Sequence, residues 1–89
     1  MAEEVVIFSS EEKADRARVC SFLRELADKI ENNAVVLRKN GEETSVEIPD
    51  NVELEVKLEK ETGSSGVEHS LEVEIEWKEG ETGGRVTLG

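Results

Sequence analysis

The sequence has 89 residues and a mass of 9.9 kDa, which is the size of one small domain, and its 22 acidic and 11 basic residues give a net charge of −11. This balance argues against nucleic acid as a partner, because affinity for phosphate backbones comes from Lys and Arg, and the longest basic run is Arg38-Lys39. Isoleucine, leucine, valine and phenylalanine account for 24 of the 89 residues. That share is high enough to predict a folded chain rather than a disordered one.

Cysteine content and hydropathy constrain the compartment. Cys20 is the single cysteine and cannot close an intrachain disulfide, and the stretch that starts at Met1 has neither the positive charge nor the apolar centre of a signal peptide. No apolar run approaches the roughly 18 residues that a membrane-crossing helix needs. We therefore expect a cytoplasmic protein that binds no membrane.

The first predicted elements are a short strand and a long helix. The β-branched and aromatic run Glu4–Phe8 favours a strand. Ser9 and Glu12 have the spacing of a capping box, which predicts the start of a helix there. From Ser10 to about Asn32, apolar residues recur at steps of three and four, so that they share one stripe of the helix. These stripe residues are Val19, Phe22, Leu23, Leu26 and Ile30.

After the helix the hydrophobic period changes to two, which predicts strands. The first strand follows Asn32-Asn33 and ends at Asn40-Gly41, a dipeptide typical of tight hairpin turns. A second strand, Thr44–Ile48, should return along it. This strand should end at Pro49, because proline has no N–H to donate to a sheet.

The clearest alternation lies in the second half of the chain. Two strands carry apolar residues at every second position, with Glu and Lys between them, so each strand has one apolar and one polar face. The segment Thr62–Gly66 between them predicts a flexible loop, and the glycine-rich residues 80–89 predict a frayed tail or a short edge strand. The alternating apolar residues are Val52, Leu54, Val56 and Leu58, then Leu71, Val73, Ile75 and Trp77.

Together these elements predict an α+β fold in the order β-α-β-β-β-β. Successive antiparallel strands with one polar face favour a mostly antiparallel sheet with one long helix packed on its apolar face, in two layers. We expect residues 1–79 to form a single domain, followed by the tail at residues 80–89.

Two segments, taken in their order along the chain, resemble the amphi-Trp domain family. They are the helical segment Phe22–Glu31, which reads FLRELADKIE, and the amphipathic strand Leu71–Trp77, which reads LEVEIEW. The family is named for such a strand ending in tryptophan, and the resemblance extends roughly from Glu3 to Lys78. It implies a small domain that often stands alone, and it implies no activity, cofactor or catalytic residue for this chain.

The sequence lacks the residue sets of common catalytic and metal sites. It has one histidine, His69, and one cysteine, Cys20, which are far apart along the chain. His69 is in phase with the apolar residues of its strand, which favours a structural imidazole, and Cys20 is expected to be a small buried side chain. Gly63–Gly66 lacks the strand-to-helix context of a nucleophile elbow. We therefore expect no enzyme, no catalytic residue, no cofactor and no metal site.

Carboxylates dominate the polar face of the last two strands. With the apolar residues on one side, two registers remain open: Glu55 lies opposite Glu72 and Glu53 opposite Glu74, or Glu55 lies opposite Glu74 and Glu53 opposite Glu76. Both registers oppose like charges, which destabilises a sheet. One interpretation of this unfavourable arrangement is that the face binds a basic partner or cations.

The leading functional hypothesis is therefore a non-enzymatic protein-interaction module that docks on a basic protein surface. Its candidate binding face consists of Glu53, Glu55, Glu72, Glu74 and Glu76. The alternative is an accessory or regulatory subunit that self-associates through edge strands or an apolar face, so the expected state is a monomer or a weak homodimer. A third interpretation is that the acidic face only keeps the protein soluble.

Overall fold

A computed structural model describes residues 3–79 and Leu88. Within them lie one helix, α1 (Arg16–Glu31), and four strands, β1 (Val35–Lys39), β2 (Glu42–Val46), β3 (Glu53–Gly63) and β4 (Gly66–Glu76). Strand β1 pairs with β2, and β3 pairs with β4, in two antiparallel two-stranded sheets. The α+β class predicted from the sequence is confirmed.

The chain divides into two compact units, Met1–Ile48 and Pro49–Gly89, and each is described by itself. The first unit contains α1 and the β1–β2 hairpin, and the second contains the β3–β4 hairpin. The single domain expected over residues 1–79 stays a prediction. The tail expected at residues 80–89 lies outside the described residues, apart from Leu88.

Helix α1 begins at Arg16, six residues later than the sequence predicted. Asp15 is the N-cap, and its Oδ1 accepts a hydrogen bond from the backbone N–H of Arg18 at 2.8 Å. The Glu12 carboxylate, which the capping-box prediction assigned to Ser9, pairs with the Arg18 guanidinium at 3.0 Å instead. The late start has a physical reason: residues 10–15 carry no large apolar side chain, and extra helical turns without packing contacts are marginal.

The end of α1 agrees with the prediction. Asn33 has a positive φ of 52°, and its N–H donates to the carbonyl of Ile30, while the N–H of Ala34 donates to the carbonyl of Lys29 at 2.8 Å. These two bonds form a Schellman motif, which satisfies the last carbonyls of a helix. The chain therefore turns directly from α1 into β1. No helix among the described residues is long and apolar enough to cross a membrane.

The strand predicted at Glu4–Phe8 is wrong. Residues 3–15 contain neither helix nor strand. Beta-branched residues favour an extended backbone, but a strand also needs a neighbour to accept and donate its backbone hydrogen bonds. This segment instead runs beside the β1–β2 turn, where the Lys39 ammonium donates to the carbonyl of Ser9 at 3.0 Å. Residues 6–9 of this segment, together with Lys39, Asn40 and Glu42, line an open cavity of about 340 Å³. The order of elements over residues 3–79 is thus α-β-β-β-β.

Packing in the first unit centres on the start of β1. Val35 is 7% exposed and is the one buried apolar residue among the described residues. Leu26 and Ile30 of α1, and Leu37 of β1, are partly buried. Because Val35 and Leu37 lie two positions apart, they share one face of β1, as the period-two pattern predicted. Cys20, expected to be buried, is exposed, since the core lies at the other end of α1.

Candidate interaction surface on the β3–β4 hairpin

Strands β3 and β4 pair over eleven positions, from Glu53 opposite Glu76 to Gly63 opposite Gly66. Only Ser64 and Ser65 lie between the paired ends, so the flexible loop predicted at Thr62–Gly66 is wrong. The physical reason is the glycine that follows the two serines. Gly66 has a φ of 126°, a conformation that side chains strongly disfavour, and this allows the chain to reverse within two residues.

The turn also decides between the two registers that the sequence left open. Glu55 lies opposite Glu74 and Glu53 opposite Glu76, so the second register is correct and the one that opposed Glu55 and Glu72 is wrong. Register in a hairpin follows from the length of its turn. The pair Gly63 and Gly66 was the signal in the sequence that could have selected this register.

One side of this hairpin is the acidic face. Side chains alternate between the two sides of a strand, and residues opposite each other share a side. All five predicted binding residues lie on this face and are exposed. The acidic face consists of Glu53, Glu55, Lys57, Glu59 and Glu61 on β3, and Glu68, Ser70, Glu72, Glu74 and Glu76 on β4.

Three carboxylates meet at the open end of the acidic face, away from the turn. Carboxylate oxygens of Glu55, Glu74 and Glu76 lie within 4.8 Å of one another. A hydrogen bond with Glu74, followed by the charge of that same carboxylate, raises the pKa of Glu76 above its ordinary value, and the charges of Glu53 and Glu55 add to the effect. Glu76 therefore holds a proton more readily than an isolated glutamate does.

These three carboxylates are also the residues best placed to bind a cation. Calcium and magnesium prefer oxygen ligands, and three carboxylates at this spacing can contribute one oxygen each. All three side chains are exposed, however, and exposed acidic groups commonly lie together without any metal. The cluster by itself does not define a metal centre.

Lys57 lies in the middle of the acidic face and divides it. Its Nζ is 3.4 Å from a carboxylate oxygen of Glu72, directly across the pair, and 3.6 Å from one of Glu59. The charges of Glu59 and Glu72 raise the pKa of Lys57. Among the five predicted binding residues, Glu72 is thus the one with a cationic neighbour in the hairpin. The charge of Glu72 is therefore partly balanced by Lys57, whereas the three clustered carboxylates at the open end lie next to one another.

The opposite side of the hairpin is the apolar face. In the structure these side chains are largely exposed, with Leu54 at 66%, Leu58 at 76% and Val73 at 61%. His69 lies on this side near the turn, opposite Lys60, in phase with its apolar neighbours as predicted. The apolar face consists of Leu54, Val56 and Leu58 on β3, and Val67, Leu71, Val73 and Ile75 on β4.

Trp77 follows β4 directly and is 40% exposed. A helix, two antiparallel hairpins and an amphipathic strand that runs into tryptophan characterise the described residues as a small α+β protein. The family model of the Amphi-Trp domain matches residues 1–88, and the chain belongs to this family. The resemblance inferred from the sequence is confirmed. No curated protein and no solved structure matches the chain.

Proposed function

We propose that this chain is a non-enzymatic protein-interaction module that docks on a basic protein surface through its acidic face. One observation carries the proposal: Glu53, Glu55, Glu74 and Glu76 oppose one another in two adjacent cross-strand pairs on an exposed face. The ion pairs found in the described part of this hairpin both involve Lys57, which lies further toward the turn.

Fixed like charges at the open end make this face suited to a cationic partner. Eleven consecutive strand pairs hold the glutamate side chains in rows, so a partner does not have to order the backbone when it binds. Such a field speeds encounter with a surface of opposite charge and selects against acidic partners. A basic partner would also relieve the repulsion among Glu55, Glu74 and Glu76, whose oxygens lie within 4.8 Å of one another.

The test compares two triple variants of equal charge. Glu55→Lys, Glu74→Lys and Glu76→Lys reverse the clustered carboxylates, whereas Glu3→Lys, Glu4→Lys and Glu11→Lys reverse three exposed carboxylates outside the hairpin. Each Glu→Lys change adds two charges, so three of them change the net charge from −11 to −5 in both variants. Any difference in binding between the two variants then depends on where the charges lie and not on the net charge.

Binding is measured by titrating a lysine- and arginine-rich peptide at low and physiological salt, and by pull-down from native lysate. We expect the acidic-face variant to lose binding, while the matched control and a chain truncated after Glu79 retain it. Equal loss in both triple variants would show attraction by net charge alone. Full binding by the acidic-face variant would leave that face as a solvated surface and nothing more.

A second candidate function is an accessory subunit that self-associates. The observation that favours it is the exposure of the apolar face, with Leu54, Val56 and Leu58 each more than half exposed. Contiguous exposed apolar patches commonly mark interaction sites. Sedimentation at rising protein concentration tests this candidate, because a mass that stays at one chain in high salt would exclude it.

The two-layer packing of a helix on the sheet, expected from the sequence, stays a prediction. It rests on the apolar stripe of α1 and on the general need of a two-stranded hairpin for further packing. The comparison of Val35→Ala with Val73→Ala, given in the Discussion, tests it.

A further inference from the structure

The β3–β4 hairpin has two outer edges, one along each strand. Each strand has eleven residues and, among residues 3–79, one neighbour in its sheet, so within that range its other edge presents backbone N–H and C=O groups that no strand pairs. Proline, bulges and charged side chains are common protections of an edge, and of these proline and bulges act on the backbone itself. The single proline of the sequence is Pro49, outside both strands, and the pairing of β3 with β4 is continuous.

The turn identifies the residues that offer these backbone groups. A two-residue turn closes on a hydrogen-bonded pair, here Gly63 and Gly66, and hydrogen-bonded pairs alternate along an antiparallel ladder. Odd-numbered residues of β3 therefore bond to β4, and even-numbered residues direct their N–H groups outward. Val56 is such a residue on β3, and Val73, directly opposite, is its counterpart on the outer edge of β4.

Charge distinguishes the two edges. On the acidic side, β4 carries four glutamates and one serine and no cation, so two copies of β4 laid side by side would oppose glutamate with glutamate. Strand β3 carries Lys57 among its glutamates. Opposite charges across a strand pair stabilise it and like charges destabilise it, so β3 is the edge suited to a second copy of itself.

We propose that β3 pairs antiparallel with β3 of a second copy, centred on Val56, to give a four-stranded sheet. In this register Lys57 lies opposite Glu55 of the other copy, and this pair occurs twice by symmetry. Leu54 lies opposite Leu58, so apolar residues face apolar residues across the junction. The pairing extends over residues 53–59, and the one like-charge pair that it repeats is Glu53 with Glu59.

Longer registers are less favourable. A register centred on Lys57 places the two lysines opposite each other, and one centred on Leu58 places Val56 opposite Lys60. A shift by a single residue would move apolar side chains to the acidic side. The register centred on Val56 is thus the longest that keeps apolar pairs together and gives Lys57 a carboxylate partner in the second copy.

This inference rests on the second candidate function, self-association, and is independent of docking through the acidic face. Residues opposite each other share a side of the sheet, so the pairing also determines how the acidic faces of the two copies are arranged. The acidic faces of both copies would therefore form one continuous surface with a carboxylate cluster toward each end of β3. The apolar faces would join in the same way on the other side.

The test is sedimentation equilibrium over a range of protein concentrations, with a matched pair of proline variants. Val56→Pro removes an outward N–H on β3, and Val73→Pro removes the equivalent N–H on β4. We expect the mass of the wild type to rise from 9.9 kDa to twice that value as the protein concentration rises. High salt should favour the dimer, because it screens the repulsion between two chains of charge −11. Val56→Pro should weaken the dimer by about tenfold or more, and Val73→Pro should leave it unchanged.

A charge swap tests the register without proline. Lys57→Glu should weaken the dimer, and adding Glu55→Lys to it should restore the dimer, because the pair across the junction is then re-formed in reverse. A wild-type monomer at every concentration in high salt would overturn both self-association and this edge. A dimer that survives Val56→Pro, or a charge swap that restores nothing, would overturn the β3 edge while self-association itself stands.

Discussion

The β1–β2 and β3–β4 hairpins are both closed by two-residue turns, yet they differ in length and in burial. Strands β1 and β2 have five residues each and include Val35, at 7% exposure. Strands β3 and β4 have eleven residues each and no buried side chain. The shorter hairpin follows α1 in its unit and contacts it, whereas in the described part of Pro49–Gly89 the longer hairpin has no helix beside it.

The difference shows that alternation predicts pairing more directly than it predicts burial. The longer hairpin has the more regular alternation of the two, and this regularity fixes eleven consecutive pairs. Burial requires a second layer, which a strand pattern cannot supply. Among the described residues of Pro49–Gly89, nothing forms a second layer over the apolar face of the β3–β4 hairpin.

The largest expected effect comes from matched valine truncations in the two hairpins. Val35→Ala should lower the free energy of unfolding by about 2 kcal/mol, because Val35 is buried. Val73→Ala, at a residue 61% exposed, should lower it by less than about 0.5 kcal/mol. Urea unfolding followed by circular dichroism at low protein concentration measures both. Equal losses would contradict this and support the two-layer packing predicted from the sequence.

A smaller effect is expected from matched glycine substitutions at the two turns. Gly41 has a φ of 82°, so Gly41→Ala should destabilise the β1–β2 turn by about 1–2 kcal/mol. Gly63 has no such backbone constraint, and the space around it is open, so Gly63→Ala should be neutral or stabilise by up to about 1 kcal/mol. Thermal unfolding compares them, and a larger loss for Gly63→Ala would mean that the tight β3–β4 turn is not formed.

Turns and helix ends show which parts of the fold could be predicted from the sequence. Asn40-Gly41 predicted its hairpin correctly, since both residues have the positive φ that such a turn requires. The end of α1 near Asn32 was also predicted, because asparagine and the loss of the helical period mark it. These features depend on a few neighbouring residues, and local chemistry decides them.

The failures depend on contacts that a sequence does not display. Glu4–Phe8 has the composition of a strand but no partner strand among the residues that the structure describes. Ser9 competes with Asp15, an equally good N-cap that lies closer to the apolar stripe. Within the candidate site, the alternation correctly predicted that the five candidate binding residues share one side of the hairpin. Alternation alone is compatible with two registers, because the residues around Ser64-Ser65 suit a flexible loop as well as a tight turn, and the turn found in the structure selects one of them.

The carboxylate cluster predicts a dependence of stability on pH. The pKa of Glu76 is raised in the folded state, chiefly by Glu74, so the folded protein binds more protons than the unfolded chain as the pH approaches the carboxyl range. The free energy of unfolding should therefore rise as the pH falls from 7 to about 5. Glu76→Gln should reduce this rise, while Glu25→Gln on α1 should preserve it. Melting temperatures that fall over this window would show that the cluster does not interact.

The smallest effect compares the cross-strand ion pairs of the two hairpins. Arg38 Nε lies 3.0 Å from a carboxylate oxygen of Glu43 in the β1–β2 hairpin, and both side chains are exposed. Such a pair contributes about 0.2–1 kcal/mol, so Arg38→Met should lower the melting temperature only slightly. Lys57 differs because it neutralises two carboxylates, Glu59 and Glu72, on a face that is otherwise acidic.

Lys57→Met should therefore lower the melting temperature more than Arg38→Met, since it leaves Glu59 and Glu72 in line with other glutamates and without a cation between them. Added salt should reduce both losses by screening, and the loss at Lys57 by more, because more like charges interact there. Measurements at low protein concentration keep self-association out of the comparison. Equal losses at low salt would show that the glutamates of the acidic face are too well solvated to repel one another. Their electric field would then be too weak to select a basic partner.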